Sequence, residues 1–271
     1  MKDCASFKSY KKSPYRSIKH STYFDVYDDL FSPYRDKEIT FVEIGVLGGG
    51  SLFMWRDFFG PKARIIGVDL NPAAKKWENE GFEIHIGSQS DEKFWAEFID
   101  SVGKVDIVLD DGGHSYEQQI ITTEMLIDNI CDGGLLVVED THTSYMDGFG
   151  VRKYSFIEYV KQLIDKINFR FSAFDDKKDD DRVWSIQIFE SIVAFKINRR
   201  AVSLPSESTE NGGIDDNAAD FTYADKRSVV GAKKAVSSFN LLKSVISTNT
   251  LKQRIVNFVI NRSANTKKFF K

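Results

Sequence analysis

Two short stretches of this 271-residue chain bring together residue types that do chemistry: Val108-Leu109-Asp110-Asp111-Gly112-Gly113-His114 and Leu136-Val137-Val138-Glu139-Asp140-Thr141-His142. In each, an apolar run with the character of a buried strand stops at adjacent carboxylates, and a histidine follows within a few residues. Unpaired buried charges are costly, so acids side by side at such places point to a cation or a polar ligand. Open α/β sheets keep their ligand crevice just beyond the carboxyl ends of the strands, where these groups would stand. The pair predicts metal-assisted chemistry in a crevice that also holds a cofactor.

A third stretch supplies the cofactor side. Phe41-Val42-Glu43-Ile44-Gly45-Val46-Leu47-Gly48-Gly49-Gly50-Ser51 reads as a strand, a glycine-rich turn and a helix start, and glycine lets a backbone approach a ligand closely. The Gly-x-Gly-x-x-Gly fingerprint is absent, because Phe53 stands where the third glycine would fall from Gly48, and no Gly-Lys-Ser/Thr follows. The next strand ends at Asp69, 24 residues beyond Gly45, where an acid can accept the hydroxyls of a ribose. Glu43 would repel a pyrophosphate but suits the cationic sulfonium of S-adenosylmethionine, which favours that cofactor over NAD. Candidate cofactor contacts are therefore Glu43, Gly45, Gly48, Gly49, Ser51 and Asp69, with Ser88 and Gln89 bordering an adenine edge. Asp91 reads as a helix N-cap.

The elements that must position these groups follow from hydropathy. Apolar runs at 40–44, 64–68, 83–86, 105–109 and 135–138 alternate with segments long enough for helices, such as 51–59, 91–101 and 117–130. Continuous hydrophobicity marks strands covered on both faces, as in a parallel sheet. Two further strands are expected at 183–189 and 191–197, and Asp132-Gly133-Gly134 reads as the end of a helix. The prediction is a three-layer α/β domain. Upstream, Tyr23, Tyr27 and Phe31 recur every four residues and suggest a helix over 21–34, packed on the domain edge.

Taken together, Val42-Glu43-Ile44-Gly45-Val46, Gly49-Gly50-Ser51-Leu52 with Trp55, Gly67-Val68-Asp69, Gly87-Ser88-Gln89-Ser90-Asp91, Asp110-Asp111-Gly112-Gly113-His114 and Val138-Glu139-Asp140-Thr141-His142-Thr143-Ser144-Tyr145 resemble one family. It is the group of class I S-adenosylmethionine-dependent methyltransferases that includes the macrocin and mycinamicin sugar O-methyltransferases, with cephalosporin-hydroxylase-like relatives. The resemblance runs from about Lys19 to Asn198. It implies a Rossmann-like seven-stranded methyltransferase sheet, S-adenosylmethionine, and a divalent cation, usually Mg2+, at the acceptor site. In that group an Asp-x-x-His after strand four gives a metal ligand and the general base, which fall here on Asp111 and His114. A carboxylate at the end of strand five, Asp140 or its neighbour Glu139, completes the metal set, and Asp28 is a further candidate ligand. Gly112-Gly113 stand where many relatives have Gly-Ser. The implied reaction methylates a hydroxyl of a sugar or of a glycosylated small-molecule or glycan acceptor.

Each residue also has a structural alternative. Asp110 and Asp111 could cap a helix beginning near Ser115, Asp140 could cap a turn, and His114 could be an ordinary loop histidine. His142 reads as pocket lining and His85 as structural. Two other functions compete: an NAD-dependent oxidoreductase, and a non-catalytic cofactor-binding module recruited by its tail.

Bulk properties narrow the class. A net charge of −3 shows no commitment to nucleic acid, and two cysteines, Cys4 and Cys131, do not make a disulfide framework. The first residues lack the apolar core of a signal peptide and no run is long enough to span a bilayer, so a cytoplasmic protein is expected. The organisation reads as an arm over 1–38, the S-adenosylmethionine-binding domain over 39–200, a polar linker over 201–220, and a basic amphipathic tail over 221–271. From Phe221 onward there are eleven Lys or Arg against one acid, Asp225, with apolar positions at Ala235-Val236, Phe239, Leu241-Leu242, Val245-Ile246 and 255–260. Such a tail fits a peripheral membrane contact, an acidic partner or a homo-oligomeric subunit contact.

Overall fold

In the computed structural model, residues 3–171, 179–214, 221–238 and 248–263 are described. Strands β1 (Thr40–Ile44), β2 (Arg64–Asp69), β3 (Glu83–Ile86), β4 (Val105–Asp110) and β5 (Ile130–Val138) run parallel. A hairpin of β6 (Ser185–Phe189) and β7 (Ile192–Lys196) completes the sheet, with β7 antiparallel to β5. The order is β3-β2-β1-β4-β5-β7-β6. This is the seven-stranded Rossmann-like sheet that the sequence predicts.

Successive residues of each strand face opposite layers. Phe41, Ile65, Ile107, Leu109 and Val137 meet one core, shared with α2 (Tyr23–Phe31) and α3 (Gly50–Phe59), while α1 (Ala5–Lys12) packs on α3. Val42, Ile66, Val68, Val108 and Leu136 meet the other, under α4 (Glu92–Val102), α5 (Tyr116–Leu126) and α6 (Phe156–Phe169). The first core is aromatic: the Trp55 ring lies 5.1 Å from Tyr27, 5.5 Å from Phe31 and 5.1 Å from Phe41. Each such fully buried ring contributes about 1.5–3 kcal/mol through the area it removes from water.

The structure differs from the sequence expectation in three places. Tyr23, Tyr27 and Phe31 do not sit on a domain edge; they are almost wholly buried, and α2 is part of the core. Gly133-Gly134 do not end a helix. They lie inside β5, where Gly133 has a φ of +90° and the register against β4 shifts between Val105 and Ile107. A Cβ on Gly134 would stand 2.3 Å from the Asp106 carbonyl oxygen, so the glycine serves a close strand approach at a bulge. Asp110 and Asp111 do not cap α5. Ser115 does, through a capping box in which its hydroxyl accepts from Gln118 N–H while the Gln118 side chain accepts from Ser115 N–H. Asp91 caps α4 as expected, accepting from Lys93 N–H at 2.9 Å.

The chain divides into two units, Met1–Glu207 and Ser208–Lys271. The first ends shortly after α7 (Arg199–Val202), and in the second α8 (Arg227–Ser238) packs on α9 (Thr248–Ser263). Phe239, Leu241-Leu242 and Val245-Ile246 lie outside the described residues. Among the described residues no helix is long and apolar enough to cross a membrane.

Candidate active site

The strand order reverses between β1 and β4, and the carboxyl ends of those two strands open the crevice expected at a topological switch point. Gly45 turns out of β1 with φ +91°, and a Cβ there would stand 2.1 Å from the Asp111 carbonyl oxygen; only glycine fits. A cavity of about 480 Å3 lies over this junction. Gly45, Asp69, Gly87, Ser88 and Gln89 line it together with Asp111, His114 and Asp140, with Ile18, Leu47 and Leu70 as apolar wall.

The cofactor candidates separate into wall and support. Asp69 lines the cavity while holding the turn: one oxygen accepts from Val46 and Leu47 N–H, both at 2.9 Å, and the other from Asn71 N–H at 2.8 Å. Gln89 donates to Asp110 at 2.7 Å and accepts from Gly113 N–H at 2.8 Å, so it braces the loop after β4. Gly48, Gly49 and Ser51 are not in the wall. A Cβ on Gly49 would stand 2.2 Å from the Trp77 ring, and Gly48 approaches the Arg16 carbonyl. These glycines make room for the chain's own arm and indole rather than for a ligand. Ser51 donates its hydroxyl to Glu43 at 2.8 Å, and Trp55 donates to the other oxygen at 3.0 Å. Glu43 is therefore buried beneath the turn and does not face the cavity.

Against these carboxylates lies a residue that no motif in the sequence singles out. The Lys19 ammonium is buried, 2.6 Å from Asp111, 3.1 Å from Glu139 and 4.0 Å from Glu43. Burial pulls its pKa down, but these three carboxylates outweigh that and hold it above the ordinary lysine value. Burial lifts Glu139 well above the carboxylate range against the pull of Lys19, and lifts Glu43 to about 7. Glu139 also accepts from the Tyr27 hydroxyl at 2.5 Å. It is a partner of Lys19, set behind Asp111 and Asp140. Asp28 lies elsewhere: it accepts from Ala5 and Ser6 N–H at the start of α1, and so is not a ligand candidate.

Asp111, His114 and Asp140 each offer a ligand atom, all within 4.8 Å of one another. His114 Nε2 is 3.3 Å from one Asp140 oxygen and 4.0 Å from Asp111, and its Nδ1 is buried with no hydrogen-bond partner among the described residues. Tyr23 donates to the other Asp140 oxygen at 2.6 Å. His114, Asp140 and Ser191 all have positive φ, 58°, 54° and 64°. Such backbone costs of order 1–3 kcal/mol per residue and persists where the surroundings impose it, typically at functional sites. Two hard carboxylate oxygens beside open cavity suit Mg2+, which binds through one or two carboxylates and keeps water or substrate oxygens in its remaining positions. His85 pairs with Glu83 on its own strand and His142 lies outside the cavity wall, hydrogen-bonded to Ser191.

A family profile described as "Methyltransferase domain" matches residues 42–141, which span β1 to the end of β5. The chain carries a methyltransferase domain. The chain is 36% identical over 135 residues to the 8-demethyl-8-alpha-L-rhamnosyl tetracenomycin-C 2'-O-methyltransferase of Streptomyces olivaceus, covering 47% of this chain and 35% of that one. It is 30% identical over 201 residues to the mycinamicin VI 2''-O-methyltransferase of Micromonospora griseorubida, covering 69% and 49%. A crystal structure of the MycE methyltransferase from the mycinamycin biosynthetic pathway, in complex with Mg and SAH, superposes with a TM-score of 0.63 at 26% identity, covering 72% of this chain and 54% of that one. The chain is thus similar to the sugar O-methyltransferases that its motifs resemble, and it spans about half the length, or less, of these relatives.

Proposed function

We propose that the chain is an S-adenosylmethionine-dependent, divalent-metal-assisted O-methyltransferase acting on a hydroxyl of a sugar or glycosylated small molecule. The observation that carries this reading is one cavity whose lining includes both Gly45, Asp69, Ser88 and Gln89 and the Asp111–His114–Asp140 cluster. Its size lies within the range of pockets that enclose a nucleoside-sized ligand. The names of the relatives, O-methyltransferases of a rhamnosyl tetracenomycin and of mycinamicin VI, support the choice of acceptor.

When bound, S-adenosylmethionine would supply an electrophilic methyl group, and Mg2+ held by Asp111 and Asp140 would acidify the acceptor hydroxyl. His114 takes the hydroxyl proton on Nε2, the nitrogen that faces both carboxylates, and Asp140 and Asp111 stabilise the imidazolium that results. Lys19 keeps Asp111 oriented from behind and balances the buried Glu139. Gln89 and the capping box fix the loop between β4 and α5, so that His114 is held in place before substrate arrives.

The test is calorimetric titration with S-adenosylmethionine, followed by methyl transfer to a panel of glycosides with and without EDTA. Binding of the cofactor and EDTA-sensitive transfer are expected. Absence of cofactor binding would overturn the reading as a whole, and transfer indifferent to EDTA would remove the metal from it. For the second unit, its excess of basic over acidic residues supports a peripheral contact with an anionic surface.

A further inference from the structure

Asp140 faces two ways. One oxygen points to His114, and the other to two further imidazoles: His20 Nε2 and His142 Nδ1 each lie 3.9 Å from Oδ1. The ligand atoms of His20, Asp140 and His142 all fall within 4.8 Å of one another, and the two imidazole rings meet edge to face at 5.8 Å between centroids. Neither histidine is used in the chemistry above.

We propose that His20, Asp140 and His142 form a second cation site, for a borderline divalent metal such as Zn2+, Co2+ or Ni2+, that fastens the N-terminal arm to the end of β5. Two imidazoles with one carboxylate select such metals, whereas the carboxylate oxygens of the neighbouring cluster suit Mg2+; the two sites differ in chemistry as well as place. Metal–nitrogen and metal–oxygen bonds of about 2.0–2.2 Å require donors about 3–3.6 Å apart, so the present spacing needs only a small contraction. The side chains that surround the donors are those that orient ligands in built sites. Tyr23 donates to the same Asp140 oxygen at 2.6 Å, its hydroxyl oxygen lies 2.8 Å from Ser191 Oγ, and Ser191 Oγ lies 2.5 Å from His142 Nδ1. A carboxylate oxygen accepts the tyrosine proton on one lone pair and binds metal with another. Coordination through His142 Nδ1 exchanges the Ser191 contact for a metal bond. Side-chain exposures of 65% for His20 and 44% for His142 leave the cation an entry path.

His20 adjoins Lys19, the buried counter-cation, and lies two residues beyond Ile18 in the cavity wall. A cation on His20 therefore holds in place the segment that floors the Mg2+ site and walls the cavity.

The experiment titrates the untagged chain with Co2+ in excess Mg2+, reading the visible absorption of the bound ion and the melting temperature. One Co2+ per chain, with the bands of a nitrogen-containing site and a raised melting temperature, is expected. His20→Ala and His142→Ala should each weaken uptake by at least about tenfold. Both side chains are partly exposed, so both variants should melt like the parent in the absence of Co2+. His114→Ala should bind Co2+ as the parent does. No uptake in excess Mg2+, or uptake lost in His114→Ala and unchanged in the other two variants, would overturn the proposal.

Discussion

His114 and Lys19 both face Asp111, but beyond it His114 meets Asp140 and Lys19 meets Glu139 and Glu43, so their substitution should fail in different ways. His114→Ala removes the proton acceptor and should lower kcat by about 10²–10⁴-fold. Cofactor affinity measured by calorimetry should hardly change, because the turn after β1 and Asp69 are untouched. Lys19→Met removes the ammonium that faces the buried Glu139 and Glu43. It should cost about 3–5 kcal/mol of stability in denaturant titration, with Lys19→Arg recovering part of that. Asp110 gives a pH signature. Burial raises its pKa from 3.8 to about 7, against hydrogen bonds from Gly112 N–H and Gln89. The folded chain thus holds that proton more tightly than the unfolded chain. The stabilisation is complete below about pH 3.8 and is lost as pH rises toward 7. Melts between pH 4.5 and 7.5 should show this decline in the parent and a flatter profile in Asp110→Asn; equal slopes would contradict the assignment.

The glycine turn between β1 and α3 shows how an element can be read correctly for the wrong reason. Its glycines are required, but by Trp77 and the arm. Gly49→Ala, with φ +78° and a Cβ 2.2 Å from the indole, should cost about 2–4 kcal/mol from backbone strain and overpacking together. Gly81→Ala has nearly the same φ, +80°, with open space around it, and should cost only the backbone part, about 1 kcal/mol. A comparable loss in both would mean that the turn does not depend on the Trp77 contact. The strands were legible because burial on both faces leaves continuous apolar runs, and β1, β3 and the strand ends at Asp69 and Asp110 fall where those runs stop. α1 was not, since its sequence ASFKSYKK is short and its buried face is made of Ser6 and Ser9. The Gly133 bulge imitates a helix stop, because a left-handed glycine serves both. In the site, Asp111, His114 and Asp140 could be found from their spacing at strand ends. Lys19, His20, Tyr23 and Ser191 could not: they come from distant segments, and one-dimensional spacing has no way to express a contact across the top of a sheet.

At the scale of the molecule, the net charge of −3 conceals an uneven distribution, with eleven basic residues beyond Phe221 against one acid. A chain ending at Glu207 should keep the melting transition of the first unit, because the contact division falls there. At low salt the full chain should sediment with anionic vesicles and the shortened one should not, the difference fading as the screening length shrinks with added salt. Equal sedimentation of both would assign the contact to the first unit.

One consequence of the buried ammonium concerns time rather than place. Lys19 reaches Asp111 across 92 residues of chain and Glu139 across 120. Contacts of such long range form only after the intervening chain has been organised. On the ribosome, the lysine emerges long before the strand that carries its second partner exists. The arm must wait for the sheet, and refolding should show secondary structure returning first, with a lag before the pocket can bind its cofactor.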